Sequence, residues 1–135
     1  MGVVLKASGV TRILEGEVSV TLVHDASLDV AQGEFVAITG PSGSGKSSLL
    51  YLLGLLDRPT SGAVWIDGVD TSDYGEDELA DARLNRLGFV FQSHFLLPEF
   101  SAIENVMLPM QRLGRRPQLE IEKYAANLLG QLGLG

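Results

Sequence analysis

Between residues 34 and 56 the spacing of apolar positions changes from that of a strand to that of a helix. Phe35-Val36-Ala37-Ile38-Thr39 is a short, β-prone apolar run of the kind a buried strand carries. Ser47 to Leu56 is leucine-rich and predicts a helix. Upstream, Val3–Lys6 and Val18–Val30 predict strands, the second with partial alternation and ending at the Gln32-Gly33 turn. Downstream, Asp57 to Gly62 predicts a turn, Ala63–Ile66 a strand, and Asp67-Gly68 a hairpin-type turn. Glu76–Leu87 predicts a helix and Gly88–Gln92 a buried strand. Ser101-x-x-Glu104 is a capping-box signature opening a helix through about Met107, which Pro109 is expected to kink or end. Ile121, Ala125, Leu128, Leu129 and Leu132 recur at helical spacing over Gln118–Leu132. Strands alternating with helices point to an α/β core.

The segment joining the first apolar run to its helix carries the chemistry. Gly40-Pro41-Ser42-Gly43-Ser44-Gly45-Lys46-Ser47 is a complete G-x-x-x-x-G-K-[ST] loop, in the strand–loop–helix context that makes this motif a phosphate site. Its glycines let the backbone close around phosphate oxygens with successive N–H groups pointing inward. The helix adds the partial positive charge of its N-terminus. Pro41 has no N–H and shapes the loop, while Ser42 through Ser48 supply donors. Lys46 places an ammonium on the β- and γ-phosphates, and the Ser47 hydroxyl ligates Mg²⁺. The ligand class this predicts is a nucleoside triphosphate.

Bulk properties narrow the setting. At 135 residues, 45% of them hydrophobic, the chain is one domain or part of one with enough apolar content for a core. There are no cysteines, which leaves no disulfide framework or thiolate metal site and suits a reducing cytoplasm. No apolar run reaches the roughly 18–20 residues needed to span a bilayer, and no signal-peptide pattern opens the chain. Lys6 stands where myristoylation of Gly2 would need Ser or Thr. A net charge of −7 argues against nucleic acid as a partner. Seven of the seventeen acids fall between Asp67 and Asp81 in no calcium-loop spacing and read as a solvated face. Arg112, Arg115 and Arg116 read as a solvated helix end, and Tyr51 and Trp65 as packing residues.

Three further stretches carry a resemblance. Gly88-Phe-Val-Phe-Gln92-Ser-His-Phe-Leu-Leu-Pro98 resembles the glutamine loop of ATP-binding-cassette (ABC) ATPases and begins its key residue 46 positions after Lys46 (92 minus 46). Ala102-Ile-Glu-Asn-Val-Met-Leu-Pro109 resembles the start of that family's helical subdomain, about 101–132. Leu55-Leu-Asp-Arg-Pro-Thr-Ser-Gly62 resembles its turn into an antiparallel β-subdomain. The likeness covers residues 1–135 and is strongest to the bacterial branch serving lipoprotein release (LolD-type) and macrolide export, with the cell-division branch sharing part of it.

The resemblance implies an α/β fold: a P-loop NTPase (RecA-like) core, an antiparallel β-subdomain and the start of a helical subdomain. It implies an ATPase subunit that binds ATP and Mg²⁺ and works with transmembrane permease subunits and a second ATPase subunit, peripheral on the inner face of the cell membrane. Gly40, Pro41, Ser42, Gly43, Ser44, Gly45, Lys46, Ser47 and Ser48 form the nucleotide site, Ser47 and Gln92 hold the metal, and Lys46 and Gln92 act in catalysis. An amide at a strand end suits Gln92: its oxygen is a neutral Mg²⁺ ligand and its NH₂ can hold a water near the γ-phosphate.

The chain departs from the family pattern in two ways. The adenine-stacking position falls near Ile13, and no aromatic residue precedes Phe35, so the base is expected to rest on Ile13 or Val20 with weak ATP/GTP discrimination. The family's signature motif, catalytic glutamate and switch histidine have no match up to Leu132-Gly-Leu-Gly135. His24 and His94 stand outside the switch position and read as ordinary polar residues. The expected reading is the N-terminal portion of an ABC ATPase domain, inactive alone, whose phosphate-loop strand lacks its family neighbours. A nucleotide-binding module without turnover is the alternative.

Overall fold

The structure is a computed structural model and describes residues 2–135. It divides between Leu87 and Gly88 into two compact units.

The first unit is built on a four-stranded antiparallel sheet in the order β2-β1-β3-β4, with β1 at Val3–Leu14, β2 at Val20–Ala31, β3 at Ser61–Ile66 and β4 at Val69–Asp70. β1 is twelve residues long, against the four of Val3–Lys6 expected from its pattern. Register shifts against β2 between Ala7 and Val10, Val10 and Arg12, and Arg12 and Ile13 explain the difference. Each irregularity interrupts the two-residue period by which a strand is read. Asp67 (φ 50°) and Gly68 (φ 80°) make the expected two-residue hairpin, both in the left-handed conformation that matches strand twist.

Helix α1 spans Lys46–Leu53 and packs on β1 and β2, and α2 spans Glu76–Arg86. Their apolar positions meet the sheet in a core of Ala7, Val10, Val23, Leu52, Leu53, Leu55, Val64, Ile66 and Leu79. Leu52 is fully buried, worth about 1.5–3 kcal/mol relative to an exposed leucine. The buried polar Thr71 donates its hydroxyl to the Val64 carbonyl at 2.8 Å, so its burial leaves no unpaired group. Several acids of the 67–81 stretch have local partners: Asp67 pairs with Arg86, Glu76 with Arg58, and Asp70 accepts from Ser72.

The second unit holds α3 (Ala102–Leu113) and α4 (Gln118–Gln131), packed through Met107, Ile121 and Ala125. The capping box is present: the Ser101 hydroxyl accepts from the Glu104 amide at 3.2 Å, and the Glu104 carboxylate accepts from the Ser101 amide at 3.0 Å. Pro109 neither ends nor bounds α3, which continues to Gly114. Pro109 lies on the exposed side, while Ile103, Val106 and Met110 pack against the cluster beneath. That burial outweighs one missing helical N–H.

The bond from the Ser101 amide, then its hydroxyl, holds the Glu104 carboxyl below its ordinary value. A carboxylate depressed on folding stabilises above its unfolded pKa, and the contribution is lost as pH falls through the folded value. The α3 start is therefore expected to loosen only below the ordinary glutamate range of about 4.3. Ser101 and Glu104 amide shifts followed through an acid titration check this, and Glu104→Gln should flatten the profile.

Two predicted strands do not form: residues 35–39 and 88–92 carry no strand hydrogen bonding. A strand is defined by its ladder partner, and the four strands described pair only with one another. Phe35 and Val90 are fully exposed as a result.

Candidate functional site

Residues 40–45 lead into α1 through Gly45, whose φ of 93° only glycine adopts freely. A Cβ at Gly45 would overlap the Leu22 carbonyl of β2, so the loop sits hard against that strand. A Cβ at Gly40 would come within 2.7 Å of the Ser44 hydroxyl oxygen. Gly45 thus needs glycine for close approach to the strand backbone, whereas the contact at Gly40 is with a side-chain hydroxyl that can turn away.

The first backbone bond of the helix runs from the Leu49 amide to the Gly45 carbonyl at 2.9 Å. The amides of Lys46, Ser47 and Ser48 precede it and have no carbonyl one turn back. No side chain caps this end, and no acid stands in the first turn. By contrast, α3 has both its Ser101 cap and Glu104. Anion-accepting capacity is therefore concentrated at Lys46–Ser48. Ser47 is exposed and Ser48 half-buried.

Lys46 is half-buried, and its ammonium donates to the carbonyls of Gly40 and, at 3.0 Å, Pro41. The Ser44 amide also donates to the Pro41 carbonyl, at 3.2 Å. The ammonium thus lies inside the curve of the loop, held by neutral carbonyls that a phosphate oxygen can outcompete. All nine residues from Gly40 to Ser48 belong to one continuous loop and helix start in the first unit.

Gln92 belongs to the second unit. It stands in an exposed bend rather than at a strand end, because 88–92 has no ladder partner among the described residues. Aromatic contacts shape the segment around it: Phe89 stacks on Phe91 at 5.5 Å, and Phe91 meets Phe95 edge-on at 4.8 Å. His94 has a local task, its Nδ1 accepting from the Leu96 amide at 3.0 Å. Asn105 clamps the end of the stretch, accepting from the Leu97 amide and donating to the Leu97, Phe100 and Ser101 carbonyls.

Ile13 is half-buried on β1, paired with Thr21. Its surroundings are built from residues distant in the chain. Arg12 Nε bonds Asp57 Oδ2 at 2.7 Å, and the Ile13 amide donates to the Thr60 hydroxyl at 2.9 Å. These partners are 45 and 47 residues apart, and no local pattern announces such pairings. Tyr51 is exposed on α1, and Trp65 lies under the Lys6 ammonium at 5.4 Å.

A family model described as ABC transporter matches residues 23–135. The chain belongs to the ABC transporter family. It is 50% identical over 128 residues to the lipoprotein-releasing system ATP-binding protein LolD 1 of Chlorobium chlorochromatii, covering 93% of this chain and 52% of that protein. It is 45% identical to LolD of Aquifex aeolicus, covering 100% of this chain and 58% of that one. Against the macrolide export ATP-binding/permease protein MacB of Bartonella quintana it is 46% identical, covering 93% of this chain and 19% of that protein. A solved ATP-binding cassette, dimeric in a post-hydrolysis state with ADP and Pi, superposes with a TM-score of 0.87 at 41% identity, covering 93% of this chain and 56% of that one. This ABC transporter chain spans about half the length of the LolD relatives it matches. The match confirms the cassette fold class, with its antiparallel sheet and helices. No helix among the described residues is long and apolar enough to cross a membrane.

Proposed function

We propose that this chain forms the nucleotide-binding part of an ATP-hydrolysing ABC subunit that drives lipoprotein release or export. Its partners in that reading are transmembrane permease subunits and a second ATPase subunit, and its place is the inner face of the membrane. The observation that carries the reading is the glycine-shaped loop 40–45 opening onto an uncapped, acid-free helix start that bears Lys46.

The residues fit Mg²⁺-triphosphate. The amides of Lys46–Ser48 and the Lys46 ammonium offer converging donors to phosphate oxygens, with no carboxylate in the first turn to repel them. The exposed Ser47 hydroxyl is an oxygen ligand of the hard type Mg²⁺ takes, and Gln92 offers a neutral amide oxygen. When bound, the ion would offset charge on the phosphates and favour departure of the γ-phosphoryl group. Lys46 exchanges its bonds to Gly40 and Pro41 for phosphate oxygens and holds their charge. Gln92 orients a water by its NH₂ group. The 88–100 segment around it is the coupling element toward the permease, and α3–α4 the start of a helical subdomain.

Ile13 gives the base an aliphatic rather than an aromatic support, which forgoes about 1–3 kcal/mol of stacking. The test is a ¹⁵N–¹H correlation spectrum of the chain titrated with Mg-ATP and then with GTP as competitor. Amides of Gly40, Gly43 and Gly45 to Ser48 are expected to move, and GTP to compete within about tenfold of ATP. A spectrum indifferent to millimolar Mg-ATP would overturn the site. An ATP preference of a hundredfold or more would overturn the aliphatic support.

A further inference from the structure

The geometry points to Asp57 and Thr60 as positioning residues that fix where the nucleoside half of the ligand lies relative to the phosphate loop. This rests on the nucleotide reading of residues 40–48. The β1–β2 hairpin ends beside that loop: the Leu22 carbonyl abuts Gly45, and Leu22 neighbours Thr21, the partner of Ile13. In the nucleotide reading, phosphates seated at 45–48 would leave their nucleoside over this adjacent hairpin end.

The hairpin's own ladder is poorly suited to hold that end in place. Two of its register shifts, between Val10 and Arg12 and between Arg12 and Ile13, fall here. A second set of bonds takes over. The Thr60 amide donates to the Thr11 carbonyl at 2.7 Å, and the Ile13 amide to the Thr60 hydroxyl at 2.9 Å. Arg12 Nε meets Asp57 Oδ2 at 2.7 Å while its Nη1 donates to the Ile13 carbonyl at 3.2 Å. The other Asp57 oxygen accepts from the Arg58 amide at 2.8 Å, which fixes the carboxylate. The Arg12 and Asp57 side chains are 26% and 34% exposed, so water screens their attraction only in part.

The far side of this clasp is tied to α1. The Leu56 and Asp57 amides both donate to the Tyr51 carbonyl, at 2.9 and 3.2 Å. One bonded path therefore runs from the phosphate-loop helix through Tyr51, Asp57 and Arg12 to Ile13. It sets the spacing between the phosphate-binding and nucleoside-facing parts of the site. A cavity of about 550 Å³ beside the clasp holds Arg12, Arg58 and Arg83 against Glu15, Asp57 and Glu76, so it has no net charge with which to select an anion of its own.

The test compares two ligands that share phosphates but not a nucleoside: Mg-ATP and inorganic tripolyphosphate, titrated calorimetrically. Thr60→Val keeps the branched shape and removes the acceptor for the Ile13 amide; Asp57→Ala removes the ion pair. Each is expected to weaken Mg-ATP about three- to tenfold while tripolyphosphate stays within about twofold, and Thr60→Ser should restore ATP affinity. Equal weakening of both ligands, or unchanged ATP affinity in folded Thr60→Val, would overturn the assignment. Thr60→Val is a near-isosteric change at an exposed residue, so the comparison stands even where Asp57→Ala unfolds. Wild-type chain that binds neither ligand would instead overturn the nucleotide reading itself.

Discussion

Lys46→Ala is expected to weaken Mg-ATP binding by about a hundredfold or more while leaving the chain folded. The two halves of that expectation have separate causes. The ammonium is the one full positive charge within residues 40–48, and it is already inside the loop, on the Gly40 and Pro41 carbonyls. A unit charge about 4 Å from a phosphate oxygen is worth up to about 4 kcal/mol at a surface-like effective dielectric of about 20. Giving up two neutral carbonyl partners returns part of this. A net loss of about 2.7 kcal/mol, or a hundredfold, remains. Stability is affected less, because Lys46 is half-buried and absent from the core around Leu52 and Val64. Calorimetric titration beside a urea melt reads both quantities. Unchanged affinity in a folded variant would remove Lys46 from the site, whereas loss of affinity with loss of fold would make the lysine structural. Lys46→Met, which keeps much of the stem without the charge, separates charge from packing and should behave like the alanine variant.

The parts of this architecture legible in the sequence are those set by neighbours along the chain. The α3 capping box, the Asp67-Gly68 hairpin and the four helices each depend on residues a few positions apart. So does the phosphate loop, whose motif is a contiguous run from Gly40 to Ser47, although the backbone contact that requires glycine at 45 comes from the distant Leu22 of β2. What was not legible depends on distant partners. Phe35–Thr39 and Gly88–Gln92 have the composition of core strands, yet composition supplies only one side of a ladder. β1 was longer than its alternation suggested because its bulges disrupt the period while β2 and β3 still pair with it on both sides. Pro109 fails to end α3 for a related reason: the penalty is local, and the packing that overrides it comes from Ile121 and Ala125 on another helix. The Arg12–Asp57 bridge had no sequence signal at all.

Gly62→Ala is expected to be the most damaging single methyl added to the first unit, costing about 3 kcal/mol or more. Gly62 is the second residue of β3, at a φ of 82°. The left-handed conformation alone costs a residue with a Cβ about 1–2 kcal/mol. Here the added carbon would also overlap the Gly9 carbonyl and lie 2.6 Å from the Ser8 carbonyl oxygen. These are backbone atoms of β1, held in place by Ser8↔Ala63 and Thr11↔Ser61 pairing on one side and by β2 on the other. Relief therefore requires β1 and β3 to separate near Thr60, where the clasp on Ile13 is made. Gly68→Ala is the control: its φ is 80° and nothing lies within 4 Å of the added carbon, so it should cost only the conformational part. Urea melts at unchanged m-value give the comparison. Equal costs for the two variants would mean that β1 and β3 separate freely at Gly62, and the clasp would then lack a firm strand to hold. A large excess at Gly62, accompanied by weaker ATP binding and preserved tripolyphosphate binding wherever the variant still folds, would tie the strand contact to the same device that positions the nucleoside.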